Sequence, residues 1–306
     1  MKWVSLHHHT TFSYGDGYAL PSVHVNRIAE LGGTAMAATE HGNVSSHPYV
    51  EIAGNKVGVK PIFGLEAYTE LKPRSPRKFH LTILAMNQIG YRNLNKIVTQ
   101  SWSEGFYRWP TVRGEMLWEN QEGLIVLSGC SDSLLACTLL GGKSIPVENA
   151  SWERMKRTAA RFQDRLGDRY YLECQMFPEL PRTHDINKAY EQLGSELGIP
   201  LVGTADVHYP LPDDNEMQVI LHAAHRGMNT AAAQAESWEY DIRLCPPDSD
   251  ATVISRLRGT GLSKRAASLA LASTTEIAER CTVTLPKAPP IKFPGTRRDL
   301  LWQTSR

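Results

Sequence analysis

The chain carries almost no net charge, because 33 lysines and arginines stand against 32 aspartates and glutamates. No global field therefore announces a polyanionic partner, although a neutral total can hide a local basic groove. Long apolar runs are missing too. Stretches such as Gly123-Leu124-Ile125-Val126-Leu127 fall far short of the roughly 20 residues that span a bilayer. A charged start followed by an apolar segment and a cleavage site is also lacking, so a cytoplasmic protein without membrane association is expected. The five cysteines (130, 137, 174, 245 and 281) are odd in number, widely spaced and without a CxxC pair. That excludes a disulfide framework and predicts core thiols, save any with a special role. The G-x-G-x-x-G phosphate loop of open dinucleotide-binding sheets is missing, and no internal repeat is visible.

What is present begins at the N-terminus. In Val4-Ser5-Leu6-His7-His8-His9, read as a first strand, alternation puts His7 and His9 on one side and His8 on the other. Two imidazoles on one strand face can share a divalent ion. A purification tag would be longer, and would not run directly into Phe12-Ser13-Tyr14-Gly15-Asp16-Gly17.

Strand-like and helical patterns then alternate for two thirds of the chain. Strands are expected at Ala35 to Thr39, Lys60 to Leu71, Phe79 to Ala85, Leu124 to Ser128, Tyr170 to Gln175 and Leu201 to Thr204. Helices are expected at Val23 to Leu31 (capped by Ser22), Tyr49 to Val57, Gly90 to Trp102, Trp152 to Leu166 and Asp185 to Leu197 (capped by Asp185). This reads as a parallel α/β fold with about seven repeats, enough to close a barrel. After His208 the pattern turns helical, at 213 to 226 and from Ser263 to Arg280, around a polar Ala-rich stretch from Gly227 to Tyr240. Prolines from Leu285 to Pro294 then forbid helix or central strand. The expected division is a barrel over 1–212, a helical extension packing on it over 213–284, and a Pro-rich tail over 285–306.

The expected strand ends carry His7, His9, Asp16, His41, Glu66, His80, Cys130, Asp206 and His208. Singly, each is as easily a satisfied core residue. Together they converge, because Asp206-Val207-His208 repeats the spacing of His7-x-His9, and the first and last strands of a closed barrel are neighbours. Active sites on such barrels lie at these strand ends. A cluster this rich in acceptors implies more than one divalent ion. Two or three ions suit phosphate ester hydrolysis, one activating water while others hold the phosphoryl oxygens and leaving group.

Leu6-His7-His8-His9-Thr10 with Asp16-Gly17, Thr39-Glu40-His41-Gly42-Asn43, Lys60 to Glu66, His80-Leu81-Thr82, Gly123 to Cys130 and Asp206-Val207-His208-Tyr209 resemble the successive motifs of the PHP (polymerase and histidinol phosphatase) superfamily. The likeness covers nearly the whole chain, and Gly90 to Leu94 and Thr275 to Cys281 are similar to the N-terminal PHP domains of bacterial DNA polymerase III alpha subunits. The resemblance implies a distorted (β/α)7 barrel with a trinuclear centre. His7, His9, Glu66 and Asp206 would hold one ion; Glu66, His80 and Cys130 a second; Asp16, His41 and His208 a third. With all nine positions filled, it further implies an active phosphoesterase, and 3′-5′ exonuclease proofreading in replication. Glu66, Asp206 and His208 are expected to carry the chemistry with two to three Zn, Mn or Fe ions. Glu40 stands where the family usually has Asp, and is expected to orient His41. His8 is expected to lie outside the site, so that its substitution is nearly silent.

Tyr107, Arg108 and Arg113, in the segment Gly105 to Arg113, are candidates for stacking on bases and pairing with phosphates of a single-stranded DNA 3′ end. The Lys72 to Lys78 segment, with Arg74 and Arg77, is a weaker candidate. Asp248-Ser249-Asp250 reads as solvated surface. Two rival functions stay open: a non-catalytic scaffold that binds a polymerase or replisome component, and a phosphatase of small monoesters. A polymerase body does not fit in 306 residues, so the chain is expected to be a stand-alone protein or part of a longer or split polymerase, in a bacterial or phage-infected bacterial cell.

Overall fold

A computed structural model describes residues 1–230 and 242–287. Part of the Ala-rich stretch and nearly all of the Pro-rich tail, including Arg297 to Leu301, lie outside the described residues. The first half of the chain runs α1 (Pro21–Glu30), β1 (Ala35–Ala38), α2 (His47–Val57), β2 (Lys60–Thr69), β3 (Phe79–Ala85), α3 (Gln88–Ser103), β4 (Thr111–Val112), α4 (Gly114–Glu119), β5 (Leu124–Leu127) and α5 (Leu134–Leu140). Then come α6 (Trp152–Leu166), β6 (Tyr170–Gln175), α7 (Pro181–Leu197), β7 (Leu201–Thr204), α8 (Asn215–Arg226), α9 (Asp250–Gly259) and α10 (Lys264–Arg280).

The sheet has the order β1-β2-β3-β5-β6-β7, with β4 beside β2. The N-terminal segment joins its two edges. Ser5 bridges Met36 of β1 while His8 bridges Val207, just past β7. Ala37 N donates to Ser5 O at 2.7 Å, and His9 N to Val207 O at 2.7 Å. The result is an α/β fold, a distorted (β/α)7 barrel in which the expected first strand is an extended segment paired through single bridges.

The sheet is not wholly parallel, as the alternating pattern predicts. β3 runs antiparallel to both β2 and β5. The cause is the 70–78 connection, which contains no helix and so returns the chain as a hairpin rather than a crossover. Helix starts differ as well: α1 and α7 begin at Pro21 and Pro181, ahead of the expected Ser22 and Asp185 caps. Proline's fixed φ suits a first helical position, and its missing N–H costs nothing there.

Asp248-Ser249-Asp250 is not simply solvated surface. Ser249 caps α9, and the Asp250 carboxylate accepts the Lys2 and Trp3 N–H groups at 2.9–3.0 Å. Thr274 of α10 accepts Val4 N–H at 3.0 Å, and Trp3 is buried, donating to the Gly203 carbonyl. The C-terminal helices therefore fix the segment that carries His7 and His9. Leu257, Ala266 and Ala270 share one apolar cluster with Trp3, Leu172 and Leu201 of the barrel. All five cysteines are buried and unpaired, and among the described residues no helix is long and apolar enough to cross a membrane.

His8 faces away from the barrel axis, as alternation predicts, but it is far from a spectator. Its imidazole is fully buried, with Nδ1 2.8 Å from Ser5 Oγ and Nε2 2.8 Å from His24 Nδ1. His24 Nε2–H donates to the Tyr18 carbonyl at 2.7 Å, which fixes its tautomer. His8 then donates to His24 and accepts from Ser5. His8→Ala leaves a cavity and two unpaired partners, an expected loss of about 2–4 kcal/mol in urea unfolding. The expectation of a nearly silent change is thus replaced: stability falls, while the side chains on the opposite side of the segment, His7 and His9, are left in place.

Burial also pushes His24 and His47 down to about 4 from an ordinary 6.5. Both are neutral in the folded state, and the unfolded chain takes up a proton on each below 6.5. Their contribution is present above 6.5 and is lost as pH falls toward 4, at about 1.4 kcal/mol per pH unit per imidazole. His47→Gln keeps a donor for the Gly64 carbonyl, 2.9 Å from Nε2. Its stability is expected to fall less steeply than wild type by that amount between pH 6.5 and 4.5, and parallel curves would refute the assignment.

Candidate metal centre

The barrel's closing seam builds the site. His7 and His9 point inward from the N-terminal segment, and Asp206 and His208 follow β7. The two pairs lie side by side, with Val207 N–H donating to His7 O at 3.1 Å. The second pair does not lie on a strand: β7 ends at Thr204, and Asp206 takes φ +45°. A left-handed backbone is unfavourable for a residue with a Cβ, by about 1 kcal/mol. Glu66 comes from β2. His80 stands near the start of β3, yet reaches the same mouth because β3 runs backwards. Gly129, at φ +85°, turns the chain into Cys130, and a Cβ there would collide with the His80 carbonyl oxygen.

Glu66 is at the centre. Its carboxylate lies 3.2 Å from His7 Nε2, 2.6 Å from His41 Nδ1, 3.0 Å from His80 Nδ1 and 3.5 Å from His9 Nε2. Asp206 Oδ1 stands 3.3 and 3.4 Å from His7 and His9 Nε2. Cys130 Sγ is 3.4 Å from His80 Nδ1. Asp16 Oδ2 is 3.0 Å from His41 Nε2 and 3.9 Å from His208 Nε2. Compact ligand groups form from His7, His9 and Glu66, from Glu66, His80 and Cys130, and from His9, His41 and His208. The first contains three of the four residues expected together, without Asp206; the second contains the residues of the expected Glu66, His80 and Cys130 set; and the third has His9 where Asp16 is expected beside His41 and His208.

Three of the imidazoles are anchored through Nδ1, which turns Nε2 toward the cluster. His7 Nδ1 donates to Glu173 at 2.6 Å, His208 Nδ1 to the Asp206 carbonyl at 2.8 Å, and His9 Nδ1 to Ser13 Oγ at 2.8 Å. Ser13 in turn donates to Glu40 at 2.6 Å. Outer partners of this kind set the tautomer of a metal-binding histidine. Glu40 therefore steers His9 through Ser13, and meets His41 only through that serine, which accepts the His41 N–H at 3.1 Å. The expected orienting role of Glu40 toward His41 thus runs through Ser13 to the backbone N–H, and the ring that the same serine touches is that of His9.

The charges gathered in the cluster act strongly on one another. Burial lowers His7, but Asp206, Glu173 and Glu66 outweigh it and hold the imidazole well above its ordinary value. Burial, with His41 and His208 close by, pushes His9 down to about 3. Burial alone would raise Glu66, yet His80, His7 and His41 hold it well below the usual carboxylate range. Burial, then Glu66 and Asp206, push the Cys130 thiol well up, so only a cation would make it a thiolate. His7 Nε2, His9 Nε2, Asp16 Oδ1, His41 Nδ1, Glu66 Oε2 and Asp206 Oδ1 are buried without a well-directed hydrogen bond, although several of them crowd one another at 2.6–3.5 Å. Orphaned donors and acceptors in one cluster are costly unless something between them satisfies all at once. Their residue types fit divalent ions.

A cavity of about 70 Å³ lies within the cluster, and shares His80 and Asp132 with a chamber of about 440 Å³. Tyr68, Trp109, Arg77 and Lys143 line that chamber. Tyr68 packs against His41, His80 and Trp109 at 5.3–5.9 Å. Lys143 is paired with Asp132 at 2.6 Å. Of the expected substrate residues, Arg108 is exposed and Tyr107 lies 5.7 Å from Lys78 Nζ. Arg113 donates to the Glu104 carbonyl at 2.6 Å, and Trp109 is the residue of that segment that lines the chamber. Sequence reasoning also missed Glu173, whose only signal is an acid in the middle of the apolar strand Tyr170–Gln175.

Comparison with known proteins agrees with this geometry. The model of the PHP domain family matches residues 5–176. DNA polymerase III subunit alpha of Thermus aquaticus is 32% identical over 254 residues, 78% of this chain and 20% of that protein. The Helicobacter pylori (strain J99) subunit is 27% identical over 303 residues, 96% of this chain and 24% of its own length, and the Treponema pallidum subunit 30% over 300 residues, 95% and 24%. The chain thus spans about a fifth to a quarter of the length of these curated relatives. The match over 5–176 contains the segments that supply His7, His9, Asp16, His41, Glu66, His80 and Cys130, and on it this chain belongs to the PHP domain family, with DNA polymerase III alpha subunits among its relatives.

Proposed function

We propose that this chain is a metal-dependent phosphoesterase that hydrolyses single-stranded DNA from its 3′ end, a 3′-5′ exonuclease working in replication. One observation carries the reading: six buried ligand atoms without a well-directed hydrogen bond lie in one cluster, and four of their residues, Asp16, His41, Glu66 and Asp206, line a small cavity beside a basic, aromatic chamber. Bound Zn, Mn or Fe ions, two or three in number, would supply Lewis acidity and lower the pKa of water. Glu66 and Asp206 concentrate the negative charge that holds such ions, and His208 presents Nε2 toward Asp16 from a fixed tautomer. Trp109 and Tyr68 offer ring faces for the terminal base, while Arg77 and Lys143 offer charge for its phosphates. The relatives are polymerase subunits, which supports DNA and replisome components as partners in a bacterial cytoplasm.

The test is a time course on a 5′-labelled single-stranded oligonucleotide with Mn²⁺ or Zn²⁺, alongside elemental analysis. The expected result is progressive shortening from the 3′ end, stopped by EDTA and slowed about 10²–10³-fold in Asp206→Ala. Digestion by Asp206→Ala at the wild-type rate would sink the assigned site. An intact oligonucleotide favours a second reading, a scaffold for a polymerase body, which the chain's small share of its relatives' length supports. Phosphate release from a small monoester alone would put a small-molecule phosphatase in place of the nuclease.

A further inference from the structure

A wide groove lies away from the metal ligands, along α6. It measures about 970 Å³ and is lined by Arg154, Arg157, Arg161 and Arg165, with Trp118 and Phe162. The arginines are spaced three, four and four residues apart, so they form one ridge of about 16 Å on the helix. The neighbouring stripe of Met155, Ala159 and Leu166 is buried, which fixes the rotation of α6 and turns the arginines to the groove.

The ridge is not spent on ion pairs. Asp164 is the single carboxylate in the groove lining. Among the described residues, Arg157 and Arg161 have no carboxylate partner, Arg154 donates to the Asn149 carbonyl, and Arg165 stacks 4.9 Å over Trp118. Ser151, the N-cap of α6, also lines the groove, so the positive end of the helix dipole adds to the four guanidiniums. In a chain of net charge +1 this is the local basic concentration that a balanced total conceals. Some of its walls are close in sequence to residues of the metal centre and its chamber. Leu134 and Thr138 belong to α5, directly after the Cys130 and Asp132 loop, and Leu71 opens the loop that brings Arg77 to the chamber.

We infer that the arginine ridge of α6 is a second binding site, which takes the phosphodiester backbone of single-stranded DNA upstream of the end held at the metal centre. Guanidiniums pair phosphate oxygens in fork geometry, and a linear row suits a linear polyanion. Trp118 and Phe162 add ring surface of the kind that makes single-strand binding tolerant of sequence. The choice of DNA as the polyanion rests on the nuclease reading; the existence of the site does not.

Fluorescence anisotropy with a fluorescein-labelled oligothymidylate tests it, in EDTA so that nothing is cleaved. Arg157→Gln with Arg161→Gln changes two unpaired side chains and leaves the buried stripe alone. Affinity is expected to fall about tenfold or more, and the slope of log K against log salt to shrink by about 1.4, the value for two phosphate contacts on a single strand. Hydrolysis of bis(p-nitrophenyl) phosphate reads the metal centre without the ridge, and is expected to be unchanged. If the oligonucleotide is never cleaved but its binding still depends on Arg157 and Arg161, the nuclease reading fails and the site stands. Unaltered binding and salt slope in the double variant overturn the inference, as does a wild-type protein that does not bind. Displacement by polyglutamate as effective as by DNA would overturn the assignment to nucleic acid.

Discussion

Glu66→Gln is expected to reduce phosphodiester hydrolysis by about 10³-fold or more while leaving the protein folded. Removing one preorganised electrostatic contact in an active site costs about 10²–10³ in rate, and Glu66 serves more than one ligand group. Its two oxygens lie within 3.5 Å of His7, His9, His41 and His80. Glutamine keeps the volume and the position on β2, between the buried Leu65 and Ala67, so the barrel has no reason to open. What goes is the negative charge around which four imidazoles are gathered. Metal content by elemental analysis is expected to fall together with the rate, and circular dichroism to stay. Near wild-type hydrolysis by a metal-depleted Glu66→Gln protein would remove the metal centre from the mechanism altogether.

The clustering of the candidate ligands was legible because its signals are local. His7-x-His9 and Asp206-x-His208 share a spacing that backbone alternation converts into a shared direction, and the closing of a barrel brings them together. Even so, the second pair reaches its position through a left-handed Asp206 rather than through a strand, which spacing alone does not reveal. His80 was readable as a candidate but not its geometry. It ends up at the mouth only because the 70–78 loop lacks a helix and reverses β3. Glu40 shows a different limit: its hydrogen bonds go to Thr10 and Ser13, 30 and 27 residues away in sequence, so its influence on His9 is a product of tertiary packing. Asp250 holding the N-terminus across a separation of 248 residues is the same kind of fact. The arginine ridge of α6 was present in the sequence at helical spacing, but the groove beneath it depends on Trp118 and Leu71 from other elements.

Glu173→Gln is expected to be worse for the protein than Glu66→Gln, although Glu173 belongs to none of the ligand groups. This carboxylate is fully buried and takes hydrogen bonds from four directions: His7 Nδ1 at 2.6 Å, Thr204 Oγ1 at 2.8 Å, Thr82 Oγ1 at 3.0 Å and Gly129 N at 3.1 Å. It thereby links the N-terminal segment, β3, the turn before Cys130 and β7 at one point. An amide has one oxygen to offer these donors, and its NH₂ is aimed at other donors. Two of the four lose their acceptor in a fully buried site. The expected loss is about 3–5 kcal/mol, since breaking a buried charged contact strands its partners. The second consequence reaches the metal centre through His7. Without the Glu173 acceptor the Nδ1–H tautomer is no longer enforced, and Nε2 ceases to be presented to Glu66 and Asp206. A further 10- to 100-fold drop in metal affinity, roughly, is expected from such an outer partner. Urea unfolding and metal titration on the same preparation separate the two effects. Thr204→Val, which removes one donor and leaves the carboxylate with three, is expected to cost only about 1 kcal/mol and to leave metal affinity almost unchanged. If Glu173→Gln is within about 1 kcal/mol of wild type and binds metal as well, His7 is oriented by packing alone, and the buried carboxylate has no part in building the site.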